Sequence, residues 1–79
     1  MDAKEIYAEL TKIFRSVFRD DTLVADPTMT AKDVAGWDSL RNIRLMLTIE
    51  KTYKVRFSTS EIGTLKNVGD LVRLIQAKI

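Results

Sequence analysis

The spacing of apolar residues over residues 3–18 constrains this chain most. Ile6, Leu10, Ile13, Phe14 and Val17 stand at i, i+4, i+7, i+8 and i+11, while Lys4, Glu5, Glu9, Lys12 and Arg15 fall elsewhere. That is the stripe of an amphipathic helix with one buried face, and no strand keeps such a period. The same rhythm returns near the end, where Val68, Leu71, Val72 and Ile75 follow the cap candidate Asn67. Asp70 then lies in a first turn, where negative charge suits the helix dipole. Three Gly and one Pro in 79 residues are too few turn-formers for a small β-barrel, so the expected fold is all-α.

Between these two helices lie two further segments. From Arg19 to Asp38 the periodicity is lost: Asp20-Asp21, Asp26-Pro27-Thr28 and Gly36 favour turns, and Leu23, Val24, Met29 and Val34 read as apolar pins. A loop of about twenty residues is long for a compact domain and is more often functional than idle. A second helix then begins at Asp38 or Ser39, either of which can cap it, and ends near Tyr53. Leu45, Met46, Ile49 and Tyr53 form one stripe on it, and Leu40, Ile43 and Leu47 form another, rotated away from the first. A surface helix needs only one such stripe. Spacing leaves open whether Ile43 and Leu47 are buried or are held at the surface for another molecule. Ser58-Thr59-Ser60-Glu61 has the spacing of a capping box and predicts a short helical turn over residues 59–62, stopped by Gly63. The expectation is a four-helix bundle of three main helices and one short one, with a long first loop, forming a single domain over residues 1–79. A chain this short hides only about 60 to 65% of the surface that its unfolded form exposes, so its apolar residues must serve one core.

Composition removes much chemistry. No Cys means no disulfide, zinc-thiolate site or thiol nucleophile, and no His removes the side chain that most readily trades protons near pH 7. Enzymatic catalysis is therefore not expected, and no metal site is. Ser39 has no Lys three residues on, because Asn42 stands there, and Gly36, Gly63 and Gly69 are too far apart for a phosphate-binding loop. No apolar run approaches the roughly 20 residues of a membrane span. The first residues read as neither a signal nor a transit peptide, so a cytoplasmic protein is expected.

Gly36-Trp37-Asp38-Ser39-Leu40 places a serine at a helix start directly after the long loop. Free amides and a partial positive charge gather there, so a phosphate ester on that hydroxyl would sit in a favourable field. The plainer reading is that Asp38-Ser39 is only a helix cap. Trp37 can pack under the loop or lie beside whatever Ser39 carries, and packing is the expected role. Tyr7, Phe14, Phe18 and Phe57 read as core or core margin.

With those residues in view, the chain resembles the acyl carrier proteins over nearly its whole length. That family is a four-helix bundle with a long first loop and Gly-x-Asp-Ser-Leu at the start of the second helix, which is matched by Gly36-Trp37-Asp38-Ser39-Leu40. The apolar spacing from Ile43 to Tyr53, the run from Val55 to Ile62 and the segment from Thr64 to Leu74 fit as well. The resemblance implies that Ser39 carries 4′-phosphopantetheine, transferred from coenzyme A by a phosphopantetheinyl transferase, with Asp38 and Leu40 flanking the attachment. A chain without Cys or His then holds acyl thioesters on the thiol of the prosthetic group. It implies acyl-loading and acyl-processing enzymes as partners, met by a face of Arg41, Ile43, Arg44, Leu47 and Ile62. Gly-Trp-Asp-Ser-Leu is closer to the acyl type than to the Gly-Gly-x-Ser of peptidyl carriers. An aminoacyl or peptidyl carrier, or an unmodified helical docking adaptor, is the alternative. The start Met and the short end after Ile79 lead us to expect a free-standing protein, and a monomer.

The charge pattern departs from that family, many of whose members present an acidic second helix. Here residues 39–56 hold Arg41, Arg44, Lys51, Lys54 and Arg56 against Glu50, while residues 20–38 hold Asp20, Asp21, Asp26, Asp33 and Asp38 against Lys32. A solvated face, or pairing of loop with helix, would account for this without function. If the face is used, it meets acidic groups, and enzymes that read an acidic helix bind poorly. A specialised pathway, such as polyketide or modified-sugar synthesis, is thus expected over housekeeping fatty acid synthesis. Nucleic acid is not an expected partner: despite an isoelectric point near 9.1, the net charge of +2 is small for a domain that lives on phosphate contacts.

Overall fold

The computed structural model describes residues 2–79, and all regular structure among them is helical. Four α-helices follow in order, α1 (Ala3–Phe18), α2 (Ser39–Tyr53), α3 (Thr59–Gly63) and α4 (Val68–Lys78), with one 3-10 turn at Ala31–Asp33. This is the bundle that periodicity predicts, and each helix starts at a side-chain cap. Asp2 accepts from the Glu5 amide at 2.9 Å, Ser58 and Glu61 form the predicted capping box, and Asn67 accepts from the Asp70 amide. Each such oxygen satisfies a donor that the first helical turn leaves free.

The core lies where α1 meets α2 and α4. Ile6, Leu10 and Phe14 of α1, Leu45 and Ile49 of α2, and Val68 and Ile75 of α4 are almost wholly removed from water. Phe14, Phe18 and Phe57 are buried and Tyr7 is half-buried, as the sequence suggests. No described helix is long and apolar enough to cross a membrane.

The long loop is tied down by its backbone as well as by apolar pins. The Ala25 amide donates to Thr11 Oγ1 at 3.0 Å, and Arg15 Nε donates to the Leu23 carbonyl at 2.8 Å. These bonds hold residues 23–25 as an extended stretch along α1. Alternation along such a stretch turns Leu23 and Ala25 inward, so Val24, expected as a pin, is 59% exposed instead. Further on, the amides of Val68 and Gly69 donate to the carbonyls of Met29 and Pro27, both at 2.9 Å. The first turn of α4 thereby uses two otherwise free donors to fasten the loop. At α3 the expected stop is displaced by one residue: Gly63 is the last helical residue and Thr64 the C-cap, its amide donating back to Glu61 and Ile62.

Candidate functional site

Gly36 sets the geometry of the serine segment. Its φ of 82° is a left-handed conformation that residues with a Cβ adopt only at a cost. The chain then closes a tight turn in which the Asp38 amide donates to the Gly36 carbonyl at 2.9 Å. The turn brings Asp38 to the end of α2, where its Oδ1 accepts from the Arg41 amide at 2.9 Å. Of the two cap candidates, Asp38 takes the role and Ser39 becomes the first helical residue. The Ser39 hydroxyl is thus left out of the capping and stands exposed at the positive end of a fifteen-residue helix.

Neighbouring side chains hold this end in place. Trp37 Nε1 donates to Asn42 Oδ1 at 3.0 Å, and its ring stands 5.6 Å from Phe14 and 5.3 Å from Phe18 between centroids. Trp37 therefore packs, fixing the turn onto α1, and Asn42 is committed to orienting it. Arg41 folds back, its Nη1 3.3 Å from both Asp38 Oδ2 and the Gly36 carbonyl.

Three of the four other acidic groups of the loop are spent locally. The Thr22 hydroxyl and amide hold Asp20 below the usual carboxylate range, the corresponding groups of Thr28 do so for Asp26, and Asp33 accepts from Thr30. Among the described residues, loop and α2 are joined by one ion pair, Asp38 with Arg41. Arg44, Lys51, Lys54 and Arg56 have no carboxylate partner there. Glu50, the one acid of the segment, accepts from the Phe57 amide at 2.8 Å.

The two stripes of α2 have separate fates. Leu45, Met46 and Ile49 are buried and Tyr53 is half-buried, whereas Leu40, Ile43 and Leu47 are 60, 56 and 51% exposed. Arg44 lies on that outer face, Arg41 is half-buried beside Asp38, and Ile62 is also half-buried. Ile62 instead walls a cleft of about 430 Å³ whose rim includes Ser39 and whose apolar wall adds Met29, Met46, Leu65 and Leu71. Met29 and Met46 read from sequence as a pin and a core residue. The cleft joins three segments distant in the chain, and periodicity within one helix carries no signal of it. No group of His, Cys, Asp and Glu suited to a metal ion occurs among the described residues.

This arrangement can hold a modified hydroxyl at a helix end; of its polar neighbours, Asn42 is a carboxamide with no basic site and the Asp38 carboxylate is taken by the Arg41 amide and guanidinium. Residues 8–75 match the family described as a phosphopantetheine attachment site. Among solved structures the chain is similar to a holo acyl carrier protein from Geobacter metallireducens, with a TM-score of 0.87 and 43% identity. The match covers 91% of this chain and 83% of that one. No curated protein matches the sequence.

Proposed function

The chain belongs to the phosphopantetheine attachment-site family and is an acyl carrier protein rather than a catalyst, and from that premise we propose that Ser39 is the residue bearing its 4′-phosphopantetheine. The observation that carries the assignment is the division of labour at the α2 terminus, where Asp38 supplies the cap and leaves the Ser39 hydroxyl exposed and uncommitted. The surroundings fit the group. The first-turn amides and the helix dipole favour a phosphodiester on that oxygen, and the apolar cleft begins at the same residue. When attached, the group supplies the thiol on which acyl cargo is held as a thioester. The chain's own part is to present that oxygen on a turn braced by Gly36, Trp37 and Asn42, with Leu40 exposed beside it.

The proposed role covers the whole chain as one carrier domain in the cytoplasm, loaded by a phosphopantetheinyl transferase and then visited by acyl-loading and acyl-processing enzymes. The exposed face of Ile43, Arg44 and Leu47 supports the idea that they dock there. Its basic sign favours a specialised pathway over housekeeping fatty acid synthesis, because partners that read an acidic helix meet like charge.

The test is the intact mass after incubation with coenzyme A and a broad-specificity transferase, with Ser39→Ala alongside. A gain of one phosphopantetheinyl group in the wild type and none in the variant supports the assignment. Equal gain in both would move the attachment elsewhere. No gain in either, from folded samples, would leave two explanations: a transferase repelled by the basic helix, or a chain that is not loaded. Arg41 and Arg44 changed to acidic residues separate these, since only the first predicts that loading then appears.

A further inference from the structure

The outer face of α2 is longer and more uniform than a patch around Ser39 requires. Leu40, Ile43, Arg44, Leu47 and Lys51 follow at spacings of three and four, so they fall within an arc of about 100° on the helix, and Lys54 follows as its left-handed C-cap. That arc lies opposite the buried Leu45, Met46 and Ile49. From Leu40 to Lys51 it runs about 16 Å at 1.5 Å per residue, with Lys54 just beyond the helix end. Its three apolar side chains are each more than half exposed. Its three cations are exposed and have no carboxylate partner among the described residues. The one acid of α2, Glu50, flanks it and accepts from the Phe57 amide at 2.8 Å. Beside the arc, Leu47 and Val55 floor a shallow depression edged by Lys51, Lys54 and Arg56 and by Glu50.

Arg41 belongs to a different neighbourhood. It lies about a quarter-turn off the arc, and Asp38 and the Gly36 carbonyl already take its guanidinium. The cations left for another molecule are Arg44 in the first half of α2 and Lys51 and Lys54 at its far end.

We propose that this face, from Leu40 to Lys54, is the docking surface for partner enzymes whose own surface sets carboxylates around an apolar depression, with Leu40, Ile43 and Leu47 seated in the depression and Arg44, Lys51 and Lys54 paired at its rim. The inference rests on the carrier reading above and extends it to the chemistry of the partner. Complementary charge steers the encounter and rejects partners of the wrong sign, while the apolar residues supply contact area. A nucleic acid would use the cations but leave three large apolar side chains facing water, and so accounts for half of the face only.

The test uses the full chain, with and without phosphopantetheine, and two helical peptides of about six turns. Both carry one leucine stripe; one flanks it with glutamates, the other with lysines. Amide chemical shifts should move on Ile43, Arg44, Leu47 and Lys51 with the glutamate peptide, and its affinity should fall roughly tenfold as salt rises from about 0.1 to about 1 M, because the Debye length shrinks from about 10 to about 3 Å. The double variant Arg44→Glu with Lys51→Glu should lose that peptide and accept the lysine one. Should that variant fail to fold, Arg44→Gln with Lys51→Gln should still weaken the glutamate peptide. Equal binding of both peptides, shifts confined to α4 or no binding at low salt would overturn the proposal. Tighter binding of a single-stranded oligonucleotide on the same face would also overturn it and make phosphate the ligand. Loading of Ser39, read separately by mass, distinguishes the two failures. A loaded chain that ignores the glutamate peptide refutes the surface alone, and an unloadable chain that binds it refutes the carrier site alone.

Discussion

Gly69→Ala tests the clip between the long loop and α4, because two physical effects there predict opposite signs. Gly69 lies in the first turn of α4, and by helix propensity alone alanine should stabilise by about 0.5–1 kcal/mol. The structure opposes this. A Cβ at Gly69 would come 3.0 Å from the Pro27 carbonyl oxygen and 3.2 Å from Asn67 Oδ1, the acceptor that caps the helix. The Pro27 carbonyl is also the acceptor of the Gly69 amide, and the Met29 carbonyl takes the Val68 amide. Pushing the loop back by a few tenths of an ångström loosens both bonds, each contributing about 0.5–1.5 kcal/mol net. If both were lost, about 1–3 kcal/mol less the propensity gain would leave a net loss of up to about 2.5 kcal/mol. For a domain of this size that lowers Tm by roughly 4–8 °C per kcal/mol.

Gly63→Ala is the matched control, since nothing lies within 4 Å of a Cβ there and the same change should leave Tm level or raise it. Thermal unfolding by circular dichroism reads both, and hydrogen exchange at the Val68 amide reports the clip directly. If Gly69→Ala raised Tm as Gly63→Ala does, the close approach of Pro27 would not be limiting and the account of the clip would be wrong.

Three other outcomes follow from the same structure. Leu45→Ala, at a side chain fully removed from water, should cost about 2–5 kcal/mol, whereas Leu47→Ala, half exposed two residues on, should stay within about 0.5 kcal/mol; equal losses in urea melts would contradict the two-faced α2. Tyr53 Oη is buried without a hydrogen-bond partner, so Tyr53→Phe should keep or raise stability by up to about 1 kcal/mol, and a clear loss would reveal a partner. In acid, Glu61 is held below its ordinary 4.5 by the Ser58 amide and by Lys78, and Asp70 below its ordinary 3.8 by the Lys66 amide and by Arg73. Lowered folded-state values mean stability that is complete above the unfolded values and lost as pH falls through the folded ones. Urea midpoints should therefore hold from pH 7 to about 5 and decline below about 4.5, and Glu61→Gln should remove part of that decline.

Helix positions were legible because caps and periodicity agree. The stripe from Ile6 to Phe14, the box at Ser58 and Glu61, and the cap at Asn67 each mark an element that forms. The 3-10 turn left a trace too, since Thr30 and Asp33 stand at capping-box spacing and form one, but three residues without a buried side chain give periodicity nothing to detect. Val24 was misplaced because a loop pinned through its backbone alternates faces, and its hydropathy alone does not say which way it turns. Doubled apolar stripes on α2 were visible as a surplus. Which stripe is buried depends on where α1 packs, a fact outside any window on α2. The cleft beside Ser39 was invisible for the same reason: Met29, Met46, Ile62 and Leu65 meet only after the loop, α2 and α3 have assembled.

The α2 terminus also separates stability from function in a way that makes Ser39 testable. A serine that caps a helix costs about 0.5–2 kcal/mol when changed to alanine, so its loss of function would be confounded with loss of structure. Here Asp38 carries the capping bond, Gly36 the left-handed turn, and Trp37 with Asn42 the anchorage to α1. Ser39, in the first helical position, does none of these. Alanine there keeps the backbone and has the higher helix propensity, so Ser39→Ala should remain folded while it loses the one hydroxyl that the site offers. Asp38→Ala removes the cap and the ion pair to Arg41 together, and any loading defect it shows must first be corrected for a frayed α2.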